Sequence, residues 1–488
     1  MSNDIRNLEP TSLWNHFSDL NAVPRPSKKE ERVIQFMVDF GKQLNLETKV
    51  DDVGNVIIKK PATSGLESRK TIVMQSHLDM VHQKNSDTIF DFDTKGIKML
   101  IDGDWVTADG TTLGADNGLG VASIMAILSS TDIAHPAIEA LFTIDEETGM
   151  TGAMGLKGGL LDGEILLNLD TEEDDEIDMG CAGGIDVTAK RSYTEEKTPE
   201  KTVAYSISVT GLQGGHSGMD IHKGLGNANK IMNRLLYNGF EHFGLRISEI
   251  NGGSLRNAIP RESFATIVID EISKEPFFFE MDALIQIIKE EFKTTEKNLY
   301  IDIKSIETPK TVMNLGVQEG FIKSMYAALN GVYRMSADMK DLVETSNNIA
   351  KVVVKNGNIQ VDCLTRSSSE SSKLDLANSL RSTFDLSGFE VEYSGSYPGW
   401  QPNVNSEILK VLAPLYEELF NEKPRVVACH AGLECGILGQ NYPDMDMISF
   451  GPTILGAHSP DEKVSISSVQ KFWKFLVNIL KNIPERSV

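Results

Sequence analysis

Cysteine is scarce: four residues in 488, Cys181, Cys363, Cys429 and Cys435, with no Cys-x-x-Cys pair. So sparse a set makes no disulfide framework and argues against a cysteine zinc site. A reducing cytoplasm is therefore the expected compartment. No uninterrupted apolar run reaches the roughly 18 residues of a membrane helix. The opening "MSNDIRNLEP" has no basic segment followed by an apolar one, so no secretory signal is expected. Basic residues are in deficit, 47 against 70 acidic for a net charge of -23. That disfavours nucleic acid and anionic membrane surfaces as partners.

The chain does have enough apolar material, 40% of residues, for sizeable cores, and its length implies two or three domains. Short runs such as "NVIIKK", "TIVMQSH", "EALFTIDEE" and "EILLNLDTE" alternate with helical stretches such as "NGLGVASIMAILSS". That alternation predicts a largely parallel sheet covered by helices. Near Arg191 the texture becomes polar and charged, and two successive α+β units are expected before "YSGSYPGW" restores the first style. The expected organisation is an α/β domain built from residues 1–188 and 399–488, with an α+β domain of two similar units inserted at 189–398.

Four apolar strands share one ending. "TIVMQSH" stops at His77, "EALFTIDEE" at Glu146 and Glu147, "EILLNLDTE" at Asp170, and "MDMISFGPTILGAHSP" leads to His458. Asp116, at the start of a helix in "LGADNGLG", projects toward the same edge. A parallel sheet gathers its carboxyl ends along one side, where α/β folds place their ligand sites. Alone, His77-x-Asp79 reads more often as a hydrogen-bonded turn. The run Glu172 to Asp178 reads as a solvated acidic stretch, and the glycines of "LGADNGLG" do not match a dinucleotide fingerprint. Together, the endings need cations, because crowded carboxylates repel and lose hydration. His77, Asp116, Glu147, Asp170 and His458 carry three negative charges and two neutral imidazoles. One divalent ion leaves them at -1 and two at +1, which a hydroxide would cancel, so two ions suit the inventory better.

"HLDMV", "GADNG", "DEETGMTGA", "NLDTEE", "GGHSG", "GAHSPDE" and "CHAGLECG" occur in one order along the whole chain. In that ordered set the chain resembles the metallopeptidases of the M20 clan, and within it the aminoacyl-histidine (Xaa-His) dipeptidases. The resemblance implies hydrolysis of small dipeptides, including carnosine-like β-alanyl-histidine, by a water between two divalent ions, zinc first with manganese or cobalt as alternatives. It implies that His77 and Asp170 hold one ion, Glu147 and His458 the other, and that Asp116 bridges them. Asp79 would fix the tautomer of His77, and Glu146 would be the general base. Adjacent acids on an extended chain face opposite ways, so one can ligate while the other takes a proton.

The resemblance also implies that His216, in the inserted domain, donates to the oxyanion and that Arg366 grips the substrate carboxylate. Asn257 and Glu434 are further substrate contacts, Glu434 for the amino group. The inserted domain would then act as a lid. A monomer or a homodimer is compatible with this reading. Left open are another amide hydrolase of the clan (tripeptidase, carboxypeptidase or N-acyl amino acid deacylase) and a non-catalytic peptide-binding relative.

Overall fold

The computed structural model describes residues 5–486. The chain forms two compact units, one from the segments up to Cys181, Trp400–Ala428 and Leu433 onward, the other from Ala182–Gly399 and Cys429–Gly432.

The first unit is built on an eight-stranded sheet in the order Glu47–Val50, Val56–Lys60, Ile138–Thr143, Ile72–His77, Ile165–Asn168, Asp446–Ser449, Glu176–Cys181, Arg425–Cys429. The four central strands, from Ile138–Thr143 to Asp446–Ser449, are mutually parallel. Every residue of Ile72–His77, Ile138–Thr143 and Ile165–Asn168 is buried. Strands covered on both faces read as continuous apolar runs, and that is why these segments are so rich in Val, Ile and Leu. Helix Ala115–Ser129 packs on strand Ile72–His77, and helix Thr11–Asn21 packs on that helix. Close approach is required at Gly120, where a Cβ would stand 2.4 Å from Ser76 Oγ and 2.7 Å from the Leu169 carbonyl. The C-terminal helix Ile466–Lys481 buries Ile466, Val469, Phe472, Phe475, Leu476, Ile479 and Leu480. That stripe at helical spacing lies against helix Glu407–Phe420.

The acidic run does not lie in solvent as expected. Residues Glu176–Cys181 form a strand of the main sheet, Asp178 is only 4% exposed, and Glu172 is half-buried. Arg425 pairs with Asp175 and Glu176, and Lys471 with Asp174, so the charges are compensated in place.

The second unit is organised on a nine-stranded sheet. Strand Thr202–Thr210, helix Ala228–Phe243, strands Arg246–Gly252 and Ser263–Asp270, helix Lys274–Glu291 and strand Tyr300–Ile306 make one βαββαβ repeat. Strand Gly183–Ser192, helix Leu315–Ala327, strands Val343–Lys355 and Asn358–Ser367, helix Glu370–Asp385 and strand Glu390–Tyr397 make a second. In both, the spatial order of the strands is fourth, first, third, second. The repeats join through their second strands, with Ile250 opposite Val354 and Gly252 opposite Val352. They are nested rather than successive, because the second repeat takes its first strand from before the other begins. For the same reason the expected boundary at 188 falls inside strand Gly183–Ser192, and the chain changes unit at Cys181.

Candidate active site

Three turns and a hairpin tip bring the metal-ligand candidates of the first unit together. His77 ends its strand. Glu146 follows strand Ile138–Thr143 through Asp145, Asp170 follows strand Ile165–Asn168, and Asp116 opens helix Ala115–Ser129 with non-helical angles. His458 lies between strands Ile454–Leu455 and Lys463–Ser465, which pair antiparallel. Asp145 and His458 both hold positive φ, 55° and 65°, a region that non-glycine residues rarely occupy outside sites that constrain them.

His77 Nε2 stands 3.2 Å from Asp116 Oδ1 and 3.6 Å from Asp170 Oδ1. His458 Nε2 stands 3.2 Å from Asp116 Oδ2 and 2.9 Å from Glu147 Oε2. Two triads, His77–Asp116–Asp170 and Asp116–Glu147–His458, thus share Asp116, which turns one oxygen to each, and each triad could hold a metal ion. The nitrogen and oxygen donors, without thiolate, fit zinc, manganese or cobalt. Glu146 belongs to neither triad.

Charges in this cluster are strongly coupled. Burial opposes a proton on His77, but the carboxylates of Asp170, Asp116 and Asp79 outweigh it and raise its pKa well above the usual imidazole value. Hydrogen bonds to Asp116 and Glu147 push His458 up to about 11. Lost hydration, with Asp170, Glu147 and Glu434 nearby, pushes Glu146 well above the carboxylate range against the pull of His77.

Asp79 holds two parts of the site at once. Its Oδ1 lies 3.4 Å from His77 Nδ1 and accepts the Glu146 N–H at 3.0 Å, while Oδ2 accepts from Ser27 Oγ (2.8 Å) and the Glu147 N–H (3.3 Å). Glu146 and Glu147 do not lie on extended chain; they open the short helix Glu146–Gly149. Their side chains therefore diverge by about 100° rather than by the half-turn of a strand.

Several supporting residues receive no role from the sequence, although Glu462 and Asn117 lie inside "GAHSPDE" and "GADNG". Glu462, 2% exposed, accepts four consecutive backbone N–H groups, those of Leu113 (2.7 Å), Gly114 (3.0 Å), Ala115 (2.7 Å) and Asp116 (3.3 Å). Arg25, 1% exposed, donates to the carbonyls of Leu78, Asp79 and Gly114 and so ties the loop after His77 to the loop before Asp116. Asn117 donates to Asp170. A third acidic group, Glu30, Asp79 and Asp145, is compensated by Lys28, 2.5 Å from Asp145, and by the hydroxyl of Ser27.

In the second unit, His216 lies in a two-stranded ribbon opposite Ala258, which places Asn257 beside it with its carbonyl accepting the Ser217 N–H at 2.7 Å. His216 Nδ1 accepts the N–H groups of Gly218 (3.2 Å) and Met219 (3.0 Å), which assigns the proton to Nε2. That Nε2 is 3.5 Å from Arg366 Nη2. Arg366 is 4% exposed, donates from Nη1 to Tyr397 Oη at 2.8 Å, and keeps Nε buried without a partner among the described residues. Asp186 feels the charge of Arg366, and the unpartnered Nε leaves a buried donor that a carboxylate could take. The last glycine of "GGHSG" has no room for a side chain: a Cβ on Gly218 would lie 2.0 Å from the His430 carbonyl and 3.2 Å from Arg366 Nε. His430, given no role in the sequence reading, is buried here with Nε2 2.8 Å from Ser346 Oγ.

Ligation needs neutral imidazoles, and without metal the surrounding carboxylates raise the pKa of both His77 and His458. Loading the metal-free protein should therefore release about two or more protons per chain, and affinity should rise with pH. Calorimetry in buffers of different ionisation enthalpy measures that release; a buffer-independent heat would contradict it. Glu462→Ala should cost about 3 kcal/mol and weaken metal affinity tenfold or more by orphaning four N–H groups, read by thermal unfolding and metal titration.

Comparison with known proteins agrees with this geometry. Residues 73–482 match the model of peptidase family M20/M25/M40. The chain is 44% identical over 483 residues to the cytosol non-specific dipeptidase of Escherichia coli, covering 99% of this chain and 100% of that one. It superposes on the crystal structure of aminoacylhistidine dipeptidase from Vibrio alginolyticus with a TM-score of 0.92 at 44% identity, covering 100% of both chains. Aminopeptidase PepT from Bacillus cereus, at 17% identity and a TM-score of 0.57 over 98% of this chain and 99% of that one, shares the fold. No described helix is long and apolar enough to cross a membrane. With a family match over most of its length and relatives this similar, the chain belongs to peptidase family M20/M25/M40 and is a peptide hydrolase.

Proposed function

We propose that this protein is a cytoplasmic dipeptidase that uses two divalent ions, zinc in the first instance, and cleaves Xaa-His dipeptides including β-alanyl-histidine. The observation that carries the reading is the pair of ligand triads sharing Asp116, with Glu146 adjacent to Glu147 yet outside both. The names of the two 44%-identical relatives support the dipeptidase class, and that of the Escherichia coli relative supports the compartment. Ions held by His77, Asp116, Glu147, Asp170 and His458 would supply Lewis acidity, acidifying a water and polarising the scissile carbonyl.

The protein's own groups do the rest. Glu146 takes the proton of the attacking water and delivers it to the leaving amine, a task suited to a carboxylate whose pKa is raised. Asp79 keeps His77 oriented and anchors the turn that carries Glu146. His216 offers its Nε2–H to the oxyanion, Arg366 forks onto the substrate's terminal carboxylate, and Asn257 adds a polar contact. In this proposal the second unit acts as the lid.

The experiment is a panel of Xaa-His dipeptides, other dipeptides, tripeptides and N-acyl amino acids given to metal-loaded protein, beside Glu146→Ala. Dipeptides should be preferred, and the variant should keep its metal while turnover falls about 10²–10⁴-fold. Loss of metal from Glu146→Ala would move Glu146 into the ligand set, and a preference for tripeptides or acylated substrates would replace the dipeptidase assignment. Arg366→Lys should raise KM about tenfold or more with kcat little changed, since an ammonium cannot make the forked contact; an unaltered KM would remove Arg366 from the carboxylate site.

A further inference from the structure

Strand Val343–Lys355 carries four consecutive polar residues, Thr345, Ser346, Asn347 and Asn348, none more than 1% exposed. Polar side chains inside a sheet cost stability unless each is hydrogen-bonded, so their partners show what the run supports. Thr345 and Asn347 bond to Ser367 and Thr365 of the neighbouring strand. Ser346 and Asn348 alternate with them and point to the other face. Arg366, registered opposite Ser346, shares that face.

Asn348 reaches the ribbon that carries His216. Its Nδ2 donates to the carbonyls of Arg256 (3.2 Å) and Ala258 (2.8 Å), the two residues that flank Asn257. Ala258 is registered opposite His216, and the Asn257 carbonyl accepts the Ser217 N–H. One amide therefore holds both ends of the tripeptide on which His216 and Ser217 are seated. The side chain of Arg256 is tied separately, to the Cys363 carbonyl (2.9 Å) and Asp362 Oδ1 (3.0 Å).

The orientation of the Asn348 amide is set from behind. Asn227 caps helix Ala228–Phe243, its Oδ1 accepting the N–H groups of Asn229 (3.0 Å) and Lys230 (3.1 Å). That makes Nδ2 its donor, and Nδ2 lies 3.3 Å from Asn348 Oδ1 and 3.0 Å from the Ile349 carbonyl. Asn348 must then turn Oδ1 to Asn227 and Nδ2 to the two ribbon carbonyls. The chain beyond His216 rests on the same strand: a Cβ on Gly218 would lie 2.0 Å from the His430 carbonyl, and His430 Nε2 is 2.8 Å from Ser346 Oγ. His216 Nε2 and Arg366 Nη2 stand 3.5 Å apart. Two N–H donors do not attract one another, so this spacing is imposed by the chain that carries them.

We propose that Asn348 is a positioning residue for His216: by holding the Arg256 and Ala258 carbonyls it fixes the ribbon, and with it the aim of the imidazole beside Arg366. The inference rests on the dipeptidase reading, in which His216 donates to the oxyanion, and adds to it a residue that acts only through the main chain.

The test is a double-mutant cycle on metal-loaded enzyme, with Asn348→Ala and His216→Ala made singly and together. Asn348→Ala should lower kcat about ten- to hundredfold, the effect of a misplaced catalytic group, with KM within about twofold of the wild type. In the His216→Ala background the same substitution should change kcat by less than about twofold, because the group it positions is gone. A merely structural defect would cost as much in either background. Asn227→Ser keeps an oxygen to cap the helix and removes the amide donor that orients Asn348. It should lower kcat several-fold, be equally silent without His216, and decide the matter should Asn348→Ala fail to fold. Equal losses in the two backgrounds, or an unchanged kcat in Asn348→Ala, overturn the assignment. A wild-type kcat in His216→Ala, or failure of the wild type to cleave any dipeptide, overturns the underlying reading and the assignment with it.

Discussion

The architecture of the first unit depends on holding carboxylates closer together than their charges would choose. Asp116, Glu146, Glu147, Asp170 and Glu434 act electrostatically on one another at the carboxyl ends of the parallel strands. Two imidazoles offset part of the repulsion, and the rest is the driving force for binding divalent cations. The surrounding protein does not neutralise the cluster; it prevents it from relaxing. Glu462 fixes the Asp116 loop through backbone N–H groups, Arg25 joins that loop to the one after His77, and Asp79 ties His77 to the turn of Glu146. Each of these contacts acts on main chain at least as much as on side chain, so the ligands are aimed by backbone that has little freedom to swing away.

The second unit makes a complementary arrangement out of positive charge. Arg366 is buried beside a histidine whose proton is directed to Nε2 by two backbone donors, and its other partner is a phenol. A guanidinium buried with its Nε unpartnered among the described residues is costly, as the crowded carboxylates are in the first unit.

Residues that end apolar strands were legible in the sequence, because a His or Asp directly after Ile, Leu and Val breaks the pattern burial demands. His77, Asp170 and Glu147 announce themselves that way, and the four parallel central strands follow from the same runs. Arg25 and Ser27 do not, since both lie in ordinary polar text, and Glu462, although inside "GAHSPDE", acts through N–H groups that every residue possesses. The buried polar contacts of Gln75, Asn168 and Ser449 were hidden for a related reason: each sits in a buried apolar strand, and only the sheet order sets the three side by side. Asp178 was misread because a charge run has the same letters whether solvent or a neighbouring strand receives it. The nesting of the two repeats was invisible because strand Gly183–Ser192 is separated from its sheet partner Asn358–Ser367 by an entire repeat.

That strand order also bears on how the molecule comes into being. Asp446–Ser449 is an interior strand of the first sheet, and His458 follows it, so the last tenth of the polypeptide completes what the first third began. During synthesis the earlier strands wait beside a gap, with His77, Asp116, Glu147 and Asp170 already made and His458 still to come. Until Asp446–Ser449 enters between its neighbours the sheet lacks an interior strand, and until His458 follows it the Asp116–Glu147 pair lacks its imidazole. Such late closure over a long sequence separation also makes folding slow relative to proteins of local topology.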